Sequence, residues 1–314
     1  MKRFQNILFL ADSYPVSPRG LERAIELAAR NHARLTLLAV AEPIDSSDPA
    51  LAAPGQSLNN ALQVGLLSGL DEALAQFDPE QRSNLQIQTR AALGVPYLLA
   101  IRAIAEHGHD LVMKAAERPN GTVRRLFGST DMHLLRKAPC PVWIEPDAAL
   151  PRHRRLIAAI DPLSEAGDGL DRKILELATS LALIEGADLD VIHVWRLPGE
   201  QFLSRGRARI SETELQHLLR ATEARHRAAV DHAVEPFRAM PIVLRVHFVK
   251  GLPGEAIQAL AQRRDADLIV MGTVGRTGIP GFFIGNTAEQ VLGDAPCGVL
   301  AVKPEGFRSP VLAT

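Results

Sequence analysis

The sequence predicts an α/β protein with two tandem domains, each built on a five-stranded parallel sheet with helices on both faces. Three observations carry this prediction. The chain has 314 residues, about the length of two ordinary domains. Its two halves resemble each other, and in both halves short apolar runs alternate with longer helical stretches. Such alternation is typical of parallel strands that are connected by helices.

The internal duplication sets the domain boundaries. Near the end of each half, Ala138-Pro139-Cys140 aligns with Ala295-Pro296-Cys297 without a gap. Near the start, Asp12 aligns with Asp161, and each follows a short apolar run. We therefore predict a first domain over residues 1–146, a linker over 147–153, a second domain over 154–304 and a tail over 305–314.

The apolar runs predict five strands in each half. They are Ile7–Ala11, Leu35–Ala41, Leu85–Ala91, Leu111–Met113 and Val142–Ile144, followed by 156–160, 189–195, 242–249, 268–271 and 299–302. The stretches near 18–31, 57–78, 96–107 and 130–138 predict the helices of the first half. Most runs are continuously apolar, as expected of strands covered on both faces. Leu85–Ala91 instead alternates apolar and polar residues, which predicts a strand near a sheet edge.

Two helices carry specific sequence signals. One has apolar residues at a spacing of three to four, which predicts a stripe facing the core: Leu58, Leu62, Leu66, Leu70, Leu74 and Phe77. The other begins with Ser211 and has Glu214 three residues later, which is the pattern of a capping box.

The composition excludes several classes of protein. The formal net charge is −1, so the chain lacks the basic surplus that is usual in nucleic-acid binders. Two cysteines do not make a disulfide framework, and no apolar run is long enough to span a bilayer. We therefore expect a cytoplasmic protein that binds no nucleic acid.

Glycines after the fourth strand of the second half form the best candidate site. Gly272, Gly275 and Gly285 follow the pattern Gly-x2-Gly-x9-Gly, and Asn286 and Thr287 come next. Glycines let a backbone approach phosphate oxygens closely, and the N-terminus of the following helix attracts anions. Asp161 ends the first strand of the same half, at the edge of the sheet where ligands of open α/β folds bind.

These glycines, the strand-ending aspartate, the Ala-Pro-Cys tripeptide and the duplication resemble the universal stress protein family, in particular its tandem-domain E-type members. The resemblance implies Rossmann-like sheets of strand order 3-2-1-4-5, of the adenine nucleotide alpha hydrolase type, and a stress-response role. Some members bind ATP. The nucleotide-binding residues it implies are Asp161, Pro162, Val194, Gly272, Gly275, Arg276, Gly285, Asn286 and Thr287. ATP with Mg is then the candidate ligand, in the second domain only, and no cofactor is obligatory.

A structural interpretation of the same residues stays open. Asn286 and Glu289 resemble a capping pair for the last helix, and the glycines can simply shape a loop. Asn286 also departs from the Ser or Thr that follows the third glycine in ATP-binding relatives. A second alternative is a lipid-like or other amphipathic ligand, favoured by the apolar segment 279–284. A slow ATPase is the third.

The first half has lost the glycine pattern. Ala115 and Arg118 stand where the second half has Gly272 and Gly275, and Asp131 places a carboxylate at the start of the following helix. That carboxylate repels phosphate. The basic residues nearby predict a solvated loop or an anion-binding cluster: Lys114, Arg118, Arg124 and Arg125.

Other reactive side chains predict structural roles. His107 and His109 lack a visible third metal ligand, Cys140 and Cys297 occupy equivalent packing positions, and no catalytic motif is present. We therefore predict neither an enzyme nor a metal site. The last strand of each half is expected at a sheet edge, and such edges invite pairing. The family resemblance implies that the two domains pack together as two subunits do in single-domain relatives, with a homodimer as an additional arrangement.

Overall fold

The computed structural model describes residues 4–45, 52–116, 128–146, 152–164, 169–204, 210–273, 285–293 and 295–312. The strands are β1 (Asn6–Ala11), β2 (Arg34–Ala41), β3 (Ile87–Leu93), β4 (Leu111–Ala115), β5 (Val142–Glu145), β6 (Arg155–Ala159), β7 (Asp188–Trp195), β8 (Leu244–Lys250), β9 (Leu268–Gly272) and β10 (Gly298–Val302). The α-helices are α1 (Pro18–Asn31), α2 (Ala52–Ala75), α3 (Pro79–Ser83), α4 (Pro96–His107), α5 (Ser129–Lys137), α6 (Leu170–Glu185), α7 (Glu200–Ser204), α8 (Glu212–Val234), α9 (Pro253–Arg264) and α10 (Asn286–Gly293).

All ten strands form one sheet, in the order β3-β2-β1-β4-β5-β10-β9-β6-β7-β8. Each domain therefore has the predicted order 3-2-1-4-5, and its own strands are parallel. The two halves meet where β5 and β10 pair antiparallel, with Leu300 opposite Trp143. The last strand of each half, which the sequence placed at a sheet edge, thus pairs with its counterpart from the other half.

The burial of the strands follows their place in the sheet. Every residue of β1 is buried, whereas β3 and β8 are only partly buried at the two outer edges. The first of these edge strands begins at Ile87 instead of the predicted Leu85, because the backbone of Leu85 belongs to the turn after α3 and its N–H donates to the Arg82 carbonyl. Apolar side chains pack on both faces of the sheet in two clusters.

The predicted helix signals are confirmed with one correction. Leu66, Leu70 and Leu74 of α2 are buried as expected, but Leu58 is 51% exposed, so the stripe faces the core only in the C-terminal half of the helix. The capping box of α8 is present as predicted, with Ser211 Oγ accepting from the Glu214 N–H and the Glu214 carboxylate accepting from the Ser211 N–H.

A buried group of charged residues joins the two domains. Glu185, at the end of α6, accepts hydrogen bonds at 3.1 Å from both Arg23 and Arg30 of α1. It also accepts from the backbone N–H of His153. Because Glu185 and Arg23 are both almost completely buried, neither charge can exchange its partner for water. Together with residues around the end of β5, these side chains form what we call the interdomain cluster: Arg23, Arg30, Trp143, Glu145, His153 and Glu185.

The second half of the interdomain cluster surrounds Glu145 at the end of β5. Its carboxylate accepts from the Trp143 indole N–H at 2.7 Å and lies 3.0 Å from Nε2 of His153. The His153 and Trp143 rings are stacked. His153 was predicted to be the last residue of a linker, yet it is buried. Its ring contacts the Glu145 carboxylate, and its backbone N–H donates to the Glu185 carboxylate.

The segment after β10 packs against the body. Lys303 Nζ donates to the Leu135 carbonyl of the first domain and lies 4.7 Å from the centre of the Phe307 ring. Burial lowers the pKa of Lys303 to about 7. Ser309 is also buried. Within the described part of the chain, no helix combines the length and apolar character needed to cross a bilayer.

Candidate functional site

The residues of the predicted nucleotide site converge on the carboxyl edge of the second domain's sheet. Asp161 and Pro162 follow β6, Val194 lies near the end of β7, and Gly272 ends β9. Gly285 directly precedes α10, whose first residues are Asn286 and Thr287. Gly275 and Arg276 lie outside the described residues. We call this group the second-domain edge site.

Asp161 is held by a neighbouring carboxylate. Its backbone N–H donates to Oδ1 of Asp171, in the first turn of α6, at 2.8 Å. Burial raises the pKa of Asp171 from 3.8 to about 6, and the charge of Asp161 acts in the same direction. The second-domain edge site therefore gains negative charge as the pH rises through about 6.

Replacing Asp171 with asparagine should change how stability depends on pH. The folded state holds the Asp171 proton more tightly than the unfolded chain, so the wild type loses stability as the pH rises from about 4 to about 6. The asparagine side chain keeps an oxygen that can accept from the Asp161 N–H. We expect Asp171→Asn to equal the wild type at pH 4 and to be more stable at pH 7 by about 1–3 kcal/mol. Urea unfolding at both pH values measures this, and equal stability at pH 7 would contradict the assignment.

Gly272 has a packing role that the sequence did not indicate. A Cβ atom added there would lie 2.8 Å from Cδ2 of Leu170 in α6. In the first domain the larger residue is on the strand and the glycine is on the helix. Ala115 takes the position of Gly272 and lies against Gly20 of α1. The bare backbone of Gly272 thus makes room for a leucine side chain, in addition to any contact with a ligand.

Within α10 itself, the first backbone N–H groups have no intrahelical acceptor. The first intrahelical bond runs from the Glu289 N–H to the Gly285 carbonyl, so the N–H groups of residues 286–288 precede the hydrogen-bonded ladder. Glu289 Oε1 pairs with Arg136 of the first domain at 2.6 Å. The helix dipole gives the N-terminus of α10 a partial positive charge.

The equivalent helix start in the first domain is occupied by a carboxylate. Asp131 Oδ2 accepts from the Gly128 N–H at 3.0 Å, and Oδ1 lies 2.6 Å from Lys114 Nζ. Lys114 also donates to Asp12 at 2.8 Å, and its side chain is 0% exposed. We call Asp12, Lys114 and Asp131 the buried triad. The second domain has Asp161, Met271 and Ala288 at the aligned positions.

The buried triad corrects one prediction. Lys114 does not belong to a solvated basic loop: it lies in β4, facing the two carboxylates. Its partners in the predicted basic cluster, Arg118, Arg124 and Arg125, lie outside the described residues. Asp131 stands at the start of α5, as the sequence predicted, and its carboxylate caps the first turn by accepting from the Gly128 N–H.

A cavity of about 570 Å³ lies at the carboxyl edge of the first domain. It is bounded by residues 12–18 after β1, by the ends of β2 and β4, and by the starts of α4 and α5. Glu42 stands at its rim, just beyond β2. Strand pairing makes Arg196 the second-domain equivalent of Glu42, since Ala41 and Trp195 accept matching hydrogen bonds from Gly94 and Gly251. The two edges thus differ in charge at the rim as well as in the buried triad.

Comparison with known sequences decides the family. The model of the universal stress protein family matches residues 3–146 and, separately, residues 153–303. The chain belongs to the universal stress protein family. Proteins called universal stress protein E from Salmonella typhi and Escherichia coli K12 are each 28% identical to it, over 99% of this chain and 98% of theirs. The resemblance to the tandem, E-type members is therefore confirmed.

Solved structures support the same fold for this universal stress protein. A Pseudomonas aeruginosa PAO1 protein described as functionally unknown is 25% identical, with a TM-score of 0.66, covering 98% of this chain and 95% of that one. A universal stress protein from Archaeoglobus fulgidus is 20% identical, with a TM-score of 0.61, covering 95% and 98%. Family membership supports a role in the response to stress.

Sequence reasoning missed one polar residue beside α10. Thr273 follows Gly272, and its carbonyl accepts from the Gly285 N–H at 2.9 Å. Its hydroxyl is buried and has no hydrogen-bond partner within the described residues. Such an atom is costly to bury. Ala116 takes this position in the first domain, so comparing the two halves of this universal stress protein could have singled it out.

The two cysteines and His109 are buried, which fits structural roles. Burial raises the pKa of both Cys140 and Cys297 to about 12, so the thiols stay protonated. Burial lowers the pKa of His109 to about 4, and its Nδ1 lies 3.1 Å from Asn6 Oδ1. Over the part of the chain that the structure describes, no three His, Cys, Asp or Glu side chains are grouped to hold a metal ion.

Proposed function

We propose that this protein is a non-enzymatic, cytoplasmic stress-response protein whose second domain binds an adenine nucleotide, ATP with Mg. One observation carries the nucleotide assignment: the N-terminus of α10 has Ala288 where the first domain has the capping carboxylate of Asp131. Backbone N–H groups at a helix start that is not neutralised by the protein's own carboxylate form a site for phosphate.

Three further features fit a bound nucleotide. The Thr273 hydroxyl, which no described residue contacts by a hydrogen bond, offers a donor next to α10. The exposed Arg196 adds a positive charge at the rim, and Asp161 offers a carboxylate to an adenine amine or a ribose hydroxyl. Gly272 contributes less to nucleotide binding than the glycine pattern indicates, because Leu170 fills the space that a side chain at this position would take.

The proposal of a binding protein, not an enzyme, rests on the chemistry of the available groups. The two cysteines are buried and protonated, and free thiols of this kind suit a reducing compartment such as the cytoplasm. When bound, Mg would neutralise phosphate charge. The nucleotide would then stabilise one conformation or interaction surface of the protein, which a partner could recognise.

Replacing Ala288 with aspartate tests the nucleotide site, because it copies the first domain. The new carboxylate should neutralise the start of α10 and repel phosphate. We expect Mg-ATP to bind the wild type with one site per chain and to bind Ala288→Asp about tenfold or more weakly, as measured by calorimetry.

Ala288→Asn is the matched control for this substitution. It has the same shape as aspartate without the charge, and we expect it to retain affinity within about threefold. Because Ala288 is buried, cooperative unfolding of both variants is checked first. Equal binding by wild type and Ala288→Asp, or equal losses in two variants that fold like the wild type, would contradict a phosphate at α10. Mass spectrometry of ligands that co-purify with the protein separates the alternatives: an adenine nucleotide supports the proposal, and an acyl-containing molecule supports the amphipathic one.

A further inference from the structure

We propose that the outward side of α2 is a homodimer interface, on which the same side of α2 from a second copy of the chain packs in antiparallel orientation. Six exposed residues on this side of the helix form what we call the α2 face: Asn60, Ala61, Val64, Leu67, Ser68 and Asp71. The proposal does not rest on nucleotide binding. Its basis is the exposure of apolar side chains, the lack of charge and the contrast with the equivalent helix of the second domain.

The α2 face presents apolar side chains to solvent. Val64 is 68% exposed and Leu67 is 38% exposed, whereas Leu66 and Leu70 on the opposite side of the helix are buried. A Cβ atom added at Gly65, next to Val64, would find no described packing neighbour within 4 Å. Val64 lies about 18 Å along the helix axis from the start of α2, so its exposure does not depend on the first turn. Exposed apolar surface of this kind is typical of protein interfaces.

The helix also lacks the charges that are usual on a solvent-facing helix side. The sequence has no Asp, Glu, Lys or Arg from residue 49 to residue 70, although these residue types make up 23% of the chain. The charged residues of α2 are Asp71 and Glu72, both near its C-terminus. Covering the rest of the α2 face therefore removes no charge from water, which lowers the cost of an interface there.

The equivalent helix of the second domain, α8, is different. When the two helices are aligned by their buried residues, such as Leu70 and Val230, Arg227 takes the position of Leu67. Arg227 pairs with the exposed Glu223 at 3.1 Å. The two copies of one helix have thus diverged, since α8 carries charged side chains suited to water where α2 carries apolar ones.

The position of the two charges favours a second copy in antiparallel orientation. If Val64 faces its counterpart across a two-fold axis, Asp71 lies opposite the uncharged turn around Ser57 of the partner subunit. A parallel arrangement would instead place Asp71 beside its own counterpart, where like charges repel. A contact about a two-fold axis requires only that one surface be complementary to itself, and an uncharged apolar strip meets this condition.

The size of the α2 face sets the expected strength of the dimer. From residue 57 to residue 75 the helix is about 27 Å long and about 10–12 Å across. Two copies would bury on the order of 600 Å² in total, less than the roughly 1,200 Å² of the smaller stable complexes. We therefore expect a reversible dimer with a Kd in the micromolar range or above.

Sedimentation velocity of the full chain, from about 1 to about 500 μM, tests the proposal. The variants are Val64→Lys and Val64→Glu, measured separately and as an equimolar mixture. Lysine and glutamate form helices more readily than valine, so both variants should fold, and circular dichroism checks this. The control is Leu218→Lys, the same change of character on α8, where Leu218 is 43% exposed.

We expect Val64→Lys and Val64→Glu each to raise the Kd of the dimer about tenfold or more, because like charges then meet at the two-fold axis. Their mixture should return to within about threefold of the wild type, because opposite charges then meet, and Leu218→Lys should change the Kd less than about twofold. The proposal fails if the wild type stays monomeric at about 500 μM, if Leu218→Lys acts like Val64→Lys, or if mixing restores nothing. A monomer that binds phosphatidylcholine vesicles through Val64 would also overturn it and would assign the α2 face to a lipid surface.

Discussion

Replacing Lys114 with methionine is expected to destabilise the first domain by about 3–5 kcal/mol. The substitution removes the ammonium that lies 2.8 Å from Asp12 and 2.6 Å from Asp131 in the buried triad. Removing one partner of a buried ion pair is costly because the remaining charge has lost its water without gaining a counterion. The urea midpoint, followed by circular dichroism, measures the loss.

A second substitution should reverse most of this loss. The double variant Lys114→Met/Asp131→Ala reproduces the pair Met271 and Ala288, which coexists with Asp161 in the second domain. Replacing a whole buried ion pair by apolar side chains is often close to neutral. We expect the double variant to recover to within about 2 kcal/mol of the wild type. If the single variant is as stable as the wild type, the buried triad does not hold the charges as described.

Replacing Glu185 with alanine should weaken the association of the two domains. Its carboxylate connects Arg23 and Arg30 of α1 with the start of the second domain at His153. Its removal leaves the buried guanidinium of Arg23 short of one partner. We expect a loss of about 3 kcal/mol and a separation of unfolding into two steps, because the first domain then unfolds with less effect on the second. Calorimetric unfolding shows both changes.

Glu176→Ala is the control on the same helix. Glu176 pairs with Arg172, which is 80% exposed, and exposed ion pairs contribute little to stability. We expect a change below about 0.5 kcal/mol and a single transition, as in the wild type. Equal effects of Glu185→Ala and Glu176→Ala would show that the interdomain cluster does not couple the domains.

Most of the fold could be predicted because the sequence contains it twice. The buried strands are short apolar runs, and their two copies agree in length and spacing, so the α/β class and the duplication followed directly. The pairing of β5 with β10 was expected from their places at sheet edges and from the family resemblance. Details that depend on long-range contacts were missed. The exposure of Leu58 is one example. A periodic stripe shows which face of a helix is apolar, but it does not show how far along the helix the rest of the domain covers that face.

The candidate site was predictable only in part. The positions of Asp161 and Gly272 followed from the rule that strand ends meet at one edge of a sheet. The ion pairs of Lys114 were not predictable. A lysine a few residues before several arginines gives no sign in the sequence that its side chain lies in the core between two distant aspartates. The packing of Gly272 against Leu170 was missed for a similar reason, since it depends on a residue in another helix.

A crystal structure grown with Mg-ATP shows whether the two edges have diverged in what they bind. We expect a nucleotide at the second domain alone, with phosphate oxygens at the first N–H groups of α10 and with no nucleotide in the first-domain cavity. A nucleotide in the first-domain cavity, beside Asp12 and Glu42, would contradict it. So would side chains of residues 274–284 filling the place of the phosphates at the start of α10.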